Sequence, residues 1–249
     1  MEWLFVLALG LAFGSFSNVL IYRLPRNLSI IAPASFCDFC TQKISWWAKI
    51  PLFSYCFLKG KCSLCKKSIP LIYCFSELLG GGLAVLFGCF FGFWGLLGFL
   101  TFLFLYVLSV IDWEYLEIPD SLNFLALFCG VGFGAVFGEK LFFDFLALEA
   151  LFNSLVLMGI ATFLRLFMGS LLHKEVMGEG DVIVFGTLGG MLGILGAFWA
   201  IFFGAFGALV VLLVAKKQIL PFVPFLVLGA FSVFVLEFLF HTEILKEIF

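Results

Sequence analysis

Between Asp181 and Lys216 the sequence reads VIVFGTLGGM LGILGAFWAI FFGAFGALVV LLVA, without one charged residue. A helix needs about 20 mostly apolar residues to span a bilayer, so this run is long enough for two spans. The whole chain shares this character, because 64% of its 249 residues are hydrophobic and only 12% are charged. Soluble domains carry about 25% charged residues, and a single core could not hide so much apolar surface. The sequence therefore predicts an all-α integral membrane protein.

Apolar runs of spanning length recur along the chain, and they predict about eight transmembrane helices. The expected spans are 3–22, 71–90, 91–111, 121–137, 145–167, 182–197, 198–215 and 221–240. Most of the 26 Gly residues fall in these runs, which is typical of helices that approach one another closely in a membrane.

The basic residues predict how the chain is oriented. Arg23 and Arg26 follow the first apolar run, and this order favours a retained helix whose N-terminus lies outside. The loops then expected inside are 23–70, 112–120, 168–181 and 216–220. Apart from Lys140 and Lys246, every basic residue lies in these loops or at the inner end of a span. The positive-inside rule thus supports eight spans with both termini outside.

The loop at 23–70 is the one sizeable polar segment. The predicted organisation is a first transmembrane helix at 1–22, this cytoplasmic loop at 23–70, and a seven-helix membrane region at 71–249. A polar segment of this length is too short to bury a good core unaided. We therefore expect a covalent or metal staple within it.

Two CxxC pairs offer that staple: Cys37-Asp-Phe-Cys40 and Cys62-Ser-Leu-Cys65. Their spacing is typical of a tetrahedral four-thiolate zinc site. The predicted orientation puts the loop in the reducing cytosol, where disulfides are rare and metal binding would fold the loop. Because a four-cysteine site is closed, we expect structural zinc and no zinc chemistry. The alternatives are a dithiol redox pair or a loop without metal.

Two acidic clusters lie at the ends of predicted spans. Asp112-Trp-Glu-Tyr-Leu-Glu-Ile-Pro-Asp120 follows the third span, and Gly178-Glu-Gly-Asp181 precedes the sixth. Ionisable residues at a membrane edge are costly and usually functional. Both clusters are expected at the cytoplasmic face, so Asp112 and Asp181 can meet. Two facing carboxylates share a proton, so one can deprotonate water while the other protonates a substrate carbonyl.

The helix ends suggest which of the two aspartates is charged at rest and which is protonated. Asp181 opens a helix, where the dipole favours an anion, and Asp112 closes one, where it favours the neutral acid. We therefore hypothesise that resting Asp181 carries the charge and Asp112 the proton. Gly178 and Gly180 would allow unusual backbone torsions and close approach of an extended substrate. Ordinary helix capping is the alternative for an acidic residue in such a place, and Asp120 fits that description.

An ordered set of short motifs runs along nearly the whole chain. The set comprises Gly14-Ser-Phe-Ser-Asn18, Ile21-Tyr-Arg-Leu-Pro25, Ile50-Pro-Leu-Phe-Ser54, Lys59-Gly-Lys-Cys62, both CxxC pairs, the two acidic clusters, and Pro221-Phe-Val-Pro-Phe225. With these motifs the chain resembles the type IV prepilin peptidases. These are bifunctional leader peptidases and N-methyltransferases of bacterial pilus, type II secretion and competence systems.

This resemblance implies a reaction and its residues. Asp112 and Asp181 would be the two catalytic aspartates, and Asp120 a further acidic position. The enzyme would cut after a Gly in the leader of a prepilin or pseudopilin, at the cytoplasmic face of the bacterial inner membrane. It would then methylate the new N-terminal residue, usually Phe, with S-adenosylmethionine. Gly60 and Lys61 stand where members of the family have residues tied to methyl transfer.

The chain departs from the family at one position near the proposed dyad. The family usually has Lys two residues after the second aspartate, where this chain has Ile183, so Asp181 would be less stabilised as an anion. The expected partners are the lipid bilayer and a basic prepilin leader, with no nucleic acid. The acidic residues expected to meet that leader are Glu114, Glu117, Glu175 and Glu179.

Three other functions remain open from the sequence. The chain could be a peptidase without methyl transfer, a non-catalytic zinc-stapled assembly factor, or a membrane thiol oxidoreductase that uses the CxxC pairs. Unchanged function after Asp112→Asn and Asp181→Asn would favour the assembly factor. Loss of activity in folded Cys→Ser variants without bound zinc would favour the oxidoreductase.

Overall fold

The computed structural model describes residues 2–37, 39–138, 141–174, 177–215 and 220–248, except for the side chains of Glu2 and of residues 238–248. Its helices are α1 (Glu2–Arg23), α2 (Phe53–Phe57), α3 (Leu71–Phe91), α4 (Gly95–Tyr115), α5 (Asp120–Phe137), α6 (Leu146–Leu172), α7 (Glu179–Ala215) and α8 (Val223–Ile248). Within these ranges, β pairing is limited to isolated bridges between Phe36 and Lys43 and between Lys61 and Ser68. The predicted all-α class is confirmed.

Several of these helices have the length and composition of membrane spans. By these criteria, five described stretches could cross a bilayer: Trp3–Arg23, Leu71–Tyr115, Asp120–Phe137, Leu146–Leu172 and Glu179–Ala215. A shorter apolar helix covers Val223–Glu237. The prediction of a membrane protein is confirmed at this level.

Two of the stretches are longer than one span requires. Leu71–Tyr115 has 45 residues and is interrupted by a 3-10 helix at Gly92–Trp94. Glu179–Ala215 has 37 residues and is interrupted at Gly193, whose φ is 72°. This interruption lies four residues before the junction predicted between Ala197 and Phe198, and the position of that junction stays a prediction. Both breaks are compatible with eight spans, which stays a prediction.

The predicted orientation also stays a prediction. It rests partly on three basic residues that lie outside the described ranges, namely Lys140, Lys216 and Lys217.

The chain divides into two compact units, Met1–Phe99 and Leu100–Phe249. In the first unit α1 packs against α3 through small residues. A Cβ on Gly10 would lie 2.6 Å from the carbonyl oxygen of Gly80, and a Cβ on Gly14 would lie 2.8 Å from the Cα of Glu77. Glycines one turn apart thus let the two backbones approach closely.

In the second unit α7 is the central helix and contacts α5, α6 and α8. Its glycines permit these contacts: the carbonyl oxygen of Gly190 lies where a Cβ on Gly134 of α5 would be. A Cβ on Gly189 would likewise lie 2.7 Å from the carbonyl oxygen of Asn153 on α6. This packing fixes the middle of the first half of α7 against α5 and α6.

Candidate active site and metal centre

The four cysteines of the polar loop converge. The Sγ atoms of Cys37, Cys40, Cys62 and Cys65 all lie within 4.8 Å of one another, and those of Cys37 and Cys65 are 3.9 Å apart. Four thiolates placed about 2.3 Å from one zinc ion in a tetrahedron would be about 3.8 Å from each other. The cluster therefore has nearly the right size and could hold a zinc ion, as predicted.

The two CxxC pairs have the same backbone geometry. The carbonyl of Cys37 accepts the N–H of Thr41 at 2.7 Å, and that of Cys62 accepts the N–H of Lys66 at 3.1 Å. Thr41 and Lys66 both have a positive φ, 56° and 60°. Each pair is thus held in one tight turn, with its two sulfurs directed to the same cluster.

Backbone donors act on two of these thiols, with different net results. The N–H groups of Cys65 and Leu64 lower the pKa of the Cys62 thiol to about 7. At Cys65 the N–H of Lys67 acts in the same direction, but loss of water and the neighbouring thiols raise its pKa to about 11. Backbone N–H donors thus favour the thiolate form of Cys62, which is the form that binds a metal.

In the second unit, Asp112 lies in the last turn of α4 and is only 6% exposed. Its Oδ2 accepts the backbone N–H of Val223, the first residue of α8, at 3.0 Å. The N-terminus of a helix offers such unpaired N–H groups and the positive end of its dipole. Asp112 therefore lies at the negative end of the α4 dipole and also at the positive end of the α8 dipole. The hypothesis that Asp112 carries the proton at rest stays a hypothesis.

Asp181 lies in the first turn of α7 and is partly exposed. Its Oδ2 accepts the N–H of Gly178 at 3.1 Å, so the first and last residues of the Gly-Glu-Gly-Asp segment are joined by a hydrogen bond. The Asp181 and Asp112 carboxylates lie close enough for their charges to repel each other. The two aspartates, far apart in sequence, are therefore within electrostatic range of each other. That they form one active site stays a prediction.

Asn123 is a site residue that the sequence did not reveal. It lies in α5, is fully buried, and its Nδ2 donates to the carbonyl oxygen of Gly180 at 2.8 Å. It therefore ties α5 to the segment that carries Asp181. The available signal was a polar amide within an apolar run, three residues after Asp120.

The two glycines of the motif have different surroundings. A Cβ on Gly180 would lie 2.7 Å from Cβ and Cδ1 of Ile118, so this position has no room for a side chain. A Cβ on Gly178 would meet only the Oδ2 of Asp181, at 3.4 Å. The expected unusual torsion is not observed, since positive φ among the described glycines is confined to Gly60, Gly92 and Gly193. Gly180 packs closely against Ile118, whereas approach of a substrate to either glycine stays a prediction.

The other predicted residues of this region lie nearer the surface. Asp120 is exposed in the first turn of α5, and Ile183 is partly buried in α7. Of the four acidic residues expected to meet a basic leader, Glu114, Glu117 and Glu179 are exposed, and Glu175 lies outside the described residues. Glu179 accepts a hydrogen bond from Arg165 of α6 at 3.0 Å, so one of these charges is already paired.

The first unit contains a cavity of about 450 Å³ beside the cysteine loop. Its lining includes Asn18, Tyr22, Arg23, Lys49, Tyr55 and Glu77. Gly60 supports this wall from behind, since a Cβ there would lie 2.9 Å from the Tyr55 hydroxyl and its φ is 65°. Lys61 is exposed, and its β bridge partner Ser68 lines the cavity.

Two family profiles match consecutive parts of the chain. The one described as Bacterial Peptidase A24 N-terminal domain matches residues 8–91, and the one described as Type IV leader peptidase family matches residues 99–213. The first match contains the cysteine loop and its cavity, and the second contains Asp112, Asn123 and Asp181.

Named relatives agree with these profiles. The Prepilin leader peptidase/N-methyltransferase of Klebsiella pneumoniae is 34% identical over 200 residues, which cover 76% of this chain and 84% of the relative. The protein of the same name from Neisseria gonorrhoeae is 32% identical, with 74% and 72% covered. The Type 4 prepilin-like proteins leader peptide-processing enzyme of Escherichia coli O78:H11 is 31% identical, with 93% of both chains covered. No solved structure shows a significant match. The chain therefore belongs to the type IV leader peptidase family, as its motifs indicate.

Proposed function

We propose that this protein removes the leader peptide of a prepilin or pseudopilin by cutting after Gly at the cytoplasmic face of a bacterial inner membrane. We further propose that it then N-methylates the new N-terminal residue. The observation that carries the first proposal is the proximity of the Asp112 and Asp181 carboxylates at the ends of two apolar helices. The names of the relatives support the substrate and both activities.

The two aspartates would divide the proton transfers of peptide hydrolysis. One carboxylate takes a proton from water as the water oxygen attacks the carbonyl carbon of the scissile bond. The other, protonated, gives its proton to the carbonyl oxygen. When the tetrahedral intermediate collapses, the C–N bond breaks and the leaving amine receives the proton that the first carboxylate took from water. A hydroxyl of the intermediate returns its proton to the second carboxylate, which restores the starting state. The hydrogen bonds from Val223 and Gly178 to the Oδ2 atoms hold both side chains in orientation for this exchange.

The surroundings of the dyad suit a basic leader followed by an apolar helix. Glu114 and Glu117 are exposed in the segment that follows Asp112, and their charges would attract a leader rich in Lys and Arg. The apolar helices that carry both aspartates would place the cut near the lipid surface, where the apolar part of the substrate remains in the bilayer.

Cleavage is tested by co-expression with a prepilin and mass measurement of the pilin. We expect wild type to yield the short form, and Asp112→Asn and Asp181→Asn to leave the longer form. Asp144→Asn, which removes an exposed carboxylate before α6, should cleave like wild type. Full processing by both dyad variants, expressed at wild-type levels, would rule out the aspartyl mechanism.

Methyl transfer is supported by the cavity of the first unit. About 450 Å³ lies within the range of small-molecule sites, roughly 300 to 1,000 Å³. Arg23 is 6% exposed, and its guanidinium donates to the carbonyls of Ser29 and Pro33 at 2.7 and 2.6 Å. No ion pair among the described residues involves it, so its charge can bind an anionic group. Glu77 adds a carboxylate to the same wall.

These residues fit the chemistry of S-adenosylmethionine, which has a carboxylate, a cationic amine and an aromatic base. Arg23 would hold the carboxylate, Glu77 the amine, and Tyr22 or Tyr55 the base by stacking. When bound, this cofactor supplies the methyl group for the new N-terminal amine. We also propose that zinc bound by the four cysteines is structural and fixes the loop that forms one side of the cavity.

A further inference from the structure

Two buried acceptor oxygens lie one helical turn apart in α6 without a donor. Glu149 is 1% exposed and Asn153 is 6% exposed. Among the described residues, the Oε1 of Glu149 and the Oδ1 of Asn153 have no hydrogen-bond partner. Residues four apart lie on the same face of a helix, so the two side chains face the same surroundings. Buried polar atoms are almost always paired, so these two require an explanation.

The other oxygen of Glu149 is well paired. Its Oε2 accepts the N–H groups of Phe142 and Phe143 at 2.9 and 2.8 Å. Two such donors are typical of an ionised carboxylate. Among the described residues, no ion pair involves Glu149. A buried charge without a counter-charge is strongly unfavourable, so an ionised Glu149 requires a cation close to it.

The break in α7 faces the same place. A Cβ on Gly193 would lie 3.8 Å from the Nδ2 of Asn153, so the Asn153 amide lies beside the break, and its unpaired Oδ1 belongs to the same planar group. Gly193 has φ 72° and ψ 177°, so the regular helical hydrogen-bond pattern is interrupted at this residue. A helix end exposes carbonyl oxygens of its last turn to other partners. The negative end of the dipole of the preceding half-helix lies at the same point. Interrupted transmembrane helices use such carbonyls and half-helix ends to coordinate Na⁺.

We propose that one alkali cation, Na⁺ or K⁺, binds between Glu149, Asn153 and the break in α7 at Gly193. The ligands are all oxygen atoms: one carboxylate, one amide carbonyl and backbone carbonyls. A single carboxylate among neutral oxygens matches a single positive charge. A water molecule could donate to both unpaired oxygens, but it would leave the carboxylate charge uncompensated. The cation would also join α6 to both halves of α7, independently of the peptidase and methyl-transfer proposals.

The test measures thermal unfolding of the purified full-length protein in detergent. NaCl, KCl and choline chloride are compared at equal ionic strength, so that general screening is held constant. We expect Na⁺ or K⁺ to raise Tm in a saturable way, by about 5 °C when the site is filled. Glu149→Gln should abolish this cation dependence. Asp144→Asn, which removes an exposed carboxylate five residues earlier, should retain it.

A second variant covers the case in which Glu149→Gln fails to fold. Asn153→Asp gives the site two carboxylates, so it should gain a Tm increase with CaCl₂ that wild type lacks. The proposal is overturned if wild type has the same Tm in all three salts, which would mean that the site holds only water or a proton. It is also overturned if Asn153→Asp responds to every salt as wild type does.

Discussion

The Oδ2 of Asp112 accepts a hydrogen bond from the backbone N–H of Val223, 3.0 Å away and 111 residues further along the chain. This contact brings the Pro221-Phe-Val-Pro-Phe225 motif to the proposed active site. The motif contains no side chain capable of acid–base chemistry, so its role could not be inferred from residue types alone. The structure supplies one, because the N-terminus of α8 holds a proposed catalytic carboxylate in position.

Removing the backbone N–H of Val223 tests how much its hydrogen bond to Asp112 contributes to prepilin cleavage. Val223 is the first residue of α8, where proline is tolerated because its N–H is unpaired within the helix. Val223→Pro should therefore fold and lose only the hydrogen bond to Asp112. A hydrogen bond to a charged group contributes about 1.5–3 kcal/mol, so we expect kcat/KM for prepilin cleavage to fall roughly 10- to 100-fold.

The control is Val223→Ala, which keeps the N–H and removes most of the buried side chain. It should cleave faster than Val223→Pro, even if its Tm is lower. If the alanine and proline variants have equal kcat/KM, packing at Val223 matters and the hydrogen bond does not.

Asn123 offers a second test, since it acts through Gly180 and is a positioning residue. Asn123→Leu removes the bond from Nδ2 to the Gly180 carbonyl and also removes an Oδ1 that has no described partner. Because the buried unpaired oxygen disappears too, stability should change little. We expect kcat to fall about tenfold or more while Tm stays within a few degrees.

A matched control for this variant is Asn18→Leu. Asn18 is also a buried amide on an apolar helix, but it lies in the first unit and accepts from Ser76. It should leave cleavage near wild type. If Asn123→Leu loses activity only in proportion to its loss of folded protein, Asn123 is purely structural.

The sequence predicted the class of fold and the motif residues because both depend on local information. Apolar runs predicted the helices, and CxxC spacing predicted the sulfur cluster, since a short turn fixes two ligands at a time. It could not reveal Val223 or Asn123, whose roles depend on a backbone atom or on a partner 57 residues away. The break at Gly193 was missed for a related reason. Several glycines in α7 could form it, and packing selects one.

If the four cysteines bind zinc, replacing one of them should lower the zinc content of the protein. Wild type should contain one zinc ion per chain, and Cys62→Ser should contain much less, measured by elemental mass spectrometry. Cys56→Ser is the matched control, because Cys56 is a free, exposed thiol in α2 outside the cluster. Equal zinc in wild type and Cys62→Ser would exclude the four-thiolate site.

The four-cysteine site also predicts that the affinity for zinc depends on pH. Zinc needs thiolates, so metal binding releases protons and its affinity falls as pH drops. The pKa of Cys62 is lowered to about 7, and below that pH its proton competes with the metal. We expect zinc content after dialysis to fall as pH is lowered from 8 towards 5. A constant zinc content across that range would indicate ligands other than thiolates.

The cavity of the first unit predicts that cleavage and methylation can be separated. Glu77 is 9% exposed, lines the cavity, and its Oε2 accepts the N–H of Leu52 at 2.7 Å. Glu77→Gln keeps an oxygen acceptor for that N–H and removes only the negative charge. If Glu77 holds the amine of the methyl donor, methylation should fall roughly 10- to 100-fold, as loss of a charged hydrogen bond predicts. Cleavage should persist, because Asp112 and Asp181 lie in the other unit.

Mass spectrometry of the mature pilin measures both cleavage and methylation, since the leader and the methyl group change its mass separately. Asp144→Asn should produce fully methylated pilin. Fully methylated pilin from Glu77→Gln would place the methyl donor elsewhere, and equal loss of both activities would make Glu77 a structural residue.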